Sequence, residues 1–86
     1  MINSKPVYLI DTTNPKIKKM FLAKKGFSLF RQRTVYTGIC MNIDDTGIVS
    51  DTNGHRLFKM SKIQHIETDK DSIKIFTQNS EYIFAG

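Results

Sequence analysis

The sequence predicts an α+β fold: a small antiparallel β-barrel, or a strongly curved sheet of about five or six strands, with one N-terminal helix. Three observations carry that expectation. Short apolar runs separated by turn residues recur through the second half of the chain at the roughly eight- to twelve-residue spacing of small β domains. One apolar stripe at helical spacing, Ile17, Met20 and Phe21, stands in the first third. And 86 residues, 40% of them hydrophobic, suffice for one core, so residues 1–86 read as a single domain.

The elements follow in order. Pro6–Ile10 is a short apolar run closed by Asp11-Thr12-Thr13-Asn14-Pro15. It reads as a strand leading into a helix, with Thr13 or Asn14 as cap and Pro15 at the first helical position, where its missing N–H costs nothing. The helix is expected over 15–25, with Gly26 as its stop. Residues 27–36 read as one strand of mixed polarity, its Phe27 and Leu29 pointing toward the core. Residues 38–43 alternate, with Ile39, Met41 and Ile43 on one face. Asp44-Asp45-Thr46-Gly47 is a turn before Ile48-Val49-Ser50. Asn53-Gly54 signals a hairpin, because a type I′ turn needs φ > 0 at both central residues, and residues 56–60 return across it. Residues 61–67 read as a connecting segment or a strand around Ile63 and Ile66, and 73–77 and 82–84 supply the remaining strands, with turns at Asp69–Ser72 and Gln78–Ser80.

Charge is distributed unevenly along this order. Residues 1–43 hold eight Lys/Arg against one acid, Asp11, whereas residues 44–86 hold five against seven. No acid occurs between Thr12 and Ile43, the stretch containing Lys16, Lys18, Lys19, Lys24, Lys25, Arg31 and Arg33. Cations early in a helix oppose its dipole, at roughly 0.3–1 kcal/mol each when exposed. A local rule broken without benefit to folding points to function. These seven residues are therefore the candidate contacts to a polyanion, lysine as point charge and arginine as bidentate fork. Phe30 and Tyr36 are the candidates for stacking on unpaired bases. The bland alternative is a solvated face on a lysine-rich protein.

Other features point away from catalysis. His55 and His65 stand ten apart with one cysteine, which fits no zinc spacing. Asp44, Asp45 and Asp51 depart from the calcium-loop pattern and read as turn residues. Cys40 has no sequence-adjacent base to activate it. No phosphate loop or nucleophile elbow occurs, so no enzyme, cofactor or metal is expected. One cysteine and no apolar run long enough to span a bilayer point to a cytoplasmic protein that does not engage membranes; Met1–Ile10 is too short and polar for a signal peptide. Large apolar residues on both faces of residues 73–84 suggest a homo-oligomer through those strands, the last of them a free edge.

The rhythm of Thr37-Gly38-Ile39, Ile43-Asp44 and Ile48-Val49, followed by Leu57-Phe58-Lys59, Ile63 and Ile66, resembles that of Sm-like small barrels, in which a helix precedes a bent sheet that binds RNA. The chain lacks their Lys-His pair after the fourth strand and has an additional hairpin. Residues 63–84 are similar to the opening strands of LytTR-type DNA-binding domains, though here the chain ends where those begin. No family is assigned and no site residue is transferred. The expected function is non-enzymatic binding of DNA or RNA through phosphates. The alternative is a protein–protein module facing an acidic partner, such as a small regulator or inhibitor from a phage or other mobile element.

Overall fold

A computed structural model describes residues 5–86; residues 1–4, the start of the segment weighed above as a leader, lie outside the described residues. The described chain forms nine strands and one short helix. The strands are mostly antiparallel neighbours in three sheets, with no closed barrel among the described residues. Nine strands stand where five or six were expected, in part because residues 24–37 fold into a separate hairpin.

The first sheet runs β1-β9-β8-β7, with β1 at Tyr8–Thr12, β7 at Ile63–Thr68, β8 at Ser72–Thr77 and β9 at Glu81–Ala85. A second comprises β4 (Met41–Ile43), β5 (Ile48–Asp51) and β6 (Arg56–Lys59). A backbone bridge between Val7 and Met41 ties the two together at one corner, through paired hydrogen bonds of 2.9 and 2.7 Å. Their inner faces make the core, in which Leu9, Met41, Ile43, Val49, Ile75 and Phe84 are wholly buried. Alternation sets this: Met41/Ile43 and Tyr82/Phe84 are two apart, and period two puts them on one side. A bulge between Leu9 and Asp11 shifts β1 so that both Leu9 and Thr12 turn inward.

Helix α1 spans Pro15–Phe21, not 15–25. Its start is as expected: the Asn14 side chain accepts from the N–H groups of Lys16 (3.1 Å) and Ile17 (3.3 Å), with Pro15 behind it. Its end differs because Leu22 turns extended and the Ala23 N–H donates to the Leu9 carbonyl at 2.8 Å, which commits the chain to strand. Ile17 is buried and the Phe21 ring meets Phe58 at 5.2 Å, but Met20 stays 59% exposed. With the helix this short, Lys18 and Lys19 lie in its last turn, where cations complement the dipole. Only Lys16 remains near the opposed end.

Gly54 has φ +86, yet Asn53 does not share it, so the turn is not type I′. It is a longer loop closed by Asp51, whose carboxylate accepts from the N–H groups of Asn53 and His55 at 2.9 Å each. The last strand is not an edge: β9 lies between β1 and β8. Ile75, Tyr82 and Phe84 are spent on the core, while Phe76, on the outer face, is covered by the Lys74 ammonium 5.8 Å from its centroid and the His65 ring at 5.6 Å. Residues 73–84 therefore lack the free edge that was one of the two grounds for the expected self-association.

Candidate nucleic-acid interface

The third sheet is a two-stranded arm, β2 (Lys24–Ser28) and β3 (Arg33–Thr37), in register from Lys24–Thr37 to Ser28–Arg33. The sequence predicts here the end of a helix over 15–25 and a single strand over 27–36, because Leu29-Phe30-Arg31-Gln32 contains no Gly, Pro, Asn or Asp to signal a turn. Two local features supply the turn instead. The Ser28 hydroxyl accepts from the Arg31 N–H at 3.2 Å, and Gln32 takes a left-handed φ of 51°. Ser28 is the signal that was available in the sequence.

Neither strand of the arm packs along another element; each has its partner strand as its main neighbour. The arm joins the body at its root. There the Tyr36 ring meets Tyr8 at 6.0 Å, and Gly38 crosses Ala23 so closely that a Cβ on Gly38 would lie 3.0 Å from the Ala23 Cβ. Five residues of strand reach about 14 Å from that root.

Pairing fixes which side chains share a face. Lys25, Phe27, Thr34 and Tyr36 project on one side; Lys24, Ser28, Val35, Arg33 and Thr37 on the other, with Arg31 in the turn. The arm is thus basic on both faces and at its tip. Arg31 and Arg33 do not share a strand face with Phe27 and Leu29, and those two do not enter the core: Phe27 is 63% exposed and Leu29 83%, with Phe30 at 97%. Leaving such side chains in water forgoes roughly 1.5–3 kcal/mol each relative to burial. Three of them within four positions form a patch, which single exposed apolar residues do not.

Lys24, Lys25, Phe30, Arg31, Arg33 and Tyr36 are thereby brought together on one hairpin. Lys16, Lys18 and Lys19 are not part of it: they lie on α1, which packs on β1. Lys18 also reaches Asp11 at 3.7 Å. Among the described residues, none of Lys16, Lys19, Lys24, Lys25, Arg31 and Arg33 has a carboxylate within ion-pair distance. Phe27, Leu29 and Tyr8 are the members that sequence reasoning missed.

Between the free edge of β3 and the β7–β8 turn lies an open cleft of about 570 Å³, lined by Arg31, Arg33, Tyr36, Tyr8 and, opposite them, Asp71. Hydrogen bonding with the Cys40 thiol, then partial desolvation, raises the Tyr8 phenol above its ordinary pKa. Two guanidiniums beside two phenol rings offer charge to a phosphate and flat surface to a base or sugar.

Elsewhere, no group of three His, Cys, Asp or Glu suited to a metal occurs among the described residues. The Asp44 carboxylate is engaged by its own turn, accepting from the Thr46 hydroxyl at 2.7 Å and the Ile48 N–H at 3.0 Å. No helix among the described residues is long and apolar enough to cross a membrane. Comparison with protein-family descriptions, with characterised proteins and with solved structures finds no significant match to this chain.

Proposed function

We propose that this protein binds nucleic acid without catalysis, chiefly through phosphates, and that the β2–β3 arm is its gripping element. The observation that carries the reading is the arm's charge: Lys24, Lys25, Arg31 and Arg33 on both faces and the tip of the ribbon, none within ion-pair distance of a carboxylate among the described residues. A flat platform needs cations on one face. A ribbon entering a groove has phosphates on both sides, and the major groove, about 12 Å wide, admits a two-stranded ribbon. Phosphate contacts of this kind position a protein and carry little sequence information, so specificity would be low or shape-based. The helix lysines play a lesser part, since Lys18 and Lys19 already complement their helix end.

On the fold, the Val7–Met41 bridge supports reading the two larger sheets as one strongly curved sheet of SH3- or Sm-like barrel size. The unpaired thiol of Cys40 supports a reducing, cytoplasmic setting.

A second reading rests on the apolar tip, which also fits a protein pocket; in that case the arm would dock an acidic partner protein. Fluorescence anisotropy against labelled single- and double-stranded oligonucleotides separates the two. The native chain should bind at low salt, and the variant Lys24→Gln/Lys25→Gln/Arg31→Gln/Arg33→Gln should not, while keeping its circular dichroism. Equal affinity of the two proteins would refute the arm as the gripping element.

A further inference from the structure

We propose that the tip of the arm, Leu29 and Phe30, acts as a wedge that enters between base pairs of a bound duplex, unstacks that step and bends the helix. This rests on the nucleic-acid reading above and goes beyond it, since phosphate contacts alone need no apolar tip.

The tip is built to hold these side chains out. Ser28–Arg33 is the last strand pair, and the Ser28 hydroxyl and the left-handed Gln32 close the four-residue turn beyond it. Leu29 and Phe30 therefore stand at the apex, 83% and 97% exposed, not folded back on the strands. Immediately behind them come Arg31 and Arg33, and at the root Lys24 and Lys25. Apolar side chains leading and cations following is the order a wedge requires: the cations hold the backbones that flank the opened step while the apex replaces base–base stacking with base–aromatic stacking. Charge complementarity selects nucleic acid over an apolar protein pocket, which has no use for two arginines beside the entering residues and two lysines at the root behind them. Cations on both faces select a duplex over a single strand, which presents one backbone.

The test is energy transfer between dyes at the two ends of a short DNA duplex, titrated with the native protein and with Leu29→Ala/Phe30→Ala. Both positions lie outside the core, and circular dichroism checks that the variant is folded. The native protein should raise transfer as the duplex bends. The variant should bind roughly 5- to 150-fold more weakly, keep the same dependence of affinity on salt, and leave transfer at the free-duplex value. Binding by the native protein with transfer unchanged, or a variant that bends as well as the native chain, would overturn the wedge and leave the phosphate reading standing. Tighter binding to a single strand than to the duplex would do the same. Absence of binding to both duplex and single strand, even at low salt, would overturn both, as would Phe30-dependent binding confined to phosphatidylserine vesicles.

Discussion

Replacing Gly38 with alanine should destabilise the protein, while the same replacement at Gly26, in the same arm, should stabilise it. A Cβ on Gly38 meets the Ala23 Cβ at 3.0 Å and the Ala23 Cα at 3.1 Å. Ala23 is buried and its N–H is fixed to Leu9 at 2.8 Å, so the neighbour is backbone that cannot swing aside. Overpacking of this kind costs about 1–3 kcal/mol. For a domain of this size each kcal/mol is worth about 4–8 °C, which puts the fall in melting temperature at roughly 4–24 °C. At Gly26 the nearest atom to an added Cβ is the Val35 Cγ2 at 4.0 Å, an ordinary contact, and the backbone is normal strand. Alanine there restricts the unfolded chain and adds about 0.4–1 kcal/mol. Thermal melts followed by circular dichroism read both. Shifts of the same sign, or no effect at Gly38, would show that the arm is not rooted over Ala23 as described.

Other outcomes follow from the same geometry. Asn14→Ala removes the acceptor for two N–H groups of α1 and should cost about 1 kcal/mol in chemical denaturation. Leu29→Ser/Phe30→Ser should leave stability within about 0.5 kcal/mol, because neither side chain is buried. Asp44 is held below its ordinary pKa by the Thr46 hydroxyl first and the Ile48 N–H second, and Asp51 by the His55 N–H. A depressed folded-state pKa stabilises above the ordinary carboxylate value and loses that contribution as pH falls through the folded value. Stability should therefore drop below about pH 4, and the drop measured by urea titration should be shallower in Asp44→Asn/Asp51→Asn.

Much of the body was legible in the sequence because its signals are local. Asn14-Pro15 starts the helix, the Asp44–Gly47, Asp69–Ser72 and Gln78–Ser80 turns fall where their residues imply, and Met41 and Ile43 alternate into the core, although Ile39, expected on the same face, precedes β4 and stays 41% exposed. What was not legible depends on tertiary hydrogen bonds or on atypical turn chemistry. The helix ends at Phe21 because Ala23 pairs with Leu9, a partner fourteen residues back. The tip of the arm turns through Leu29–Gln32 without a conventional turn residue, so Phe27 and Leu29 resembled core side chains in a continuous strand. The seven candidate cations were visible as a charge run. That four of them share one projecting ribbon, and three do not, needed coordinates. The edge expected of the last strand failed because β1, from the opposite end of the chain, pairs along it.

The most direct test of the arm as a phosphate-binding ribbon is the salt dependence of duplex affinity, compared between the native chain and Arg31→Ala/Arg33→Ala. If each of the four arm cations meets one phosphate, log affinity should fall against log salt with a slope of about −3.6 in the native protein and about −1.8 in the variant. The same relation makes the variant roughly 60-fold weaker at 0.1 M salt. Equal slopes for the two proteins, or no binding by the native chain at low salt, would contradict the account.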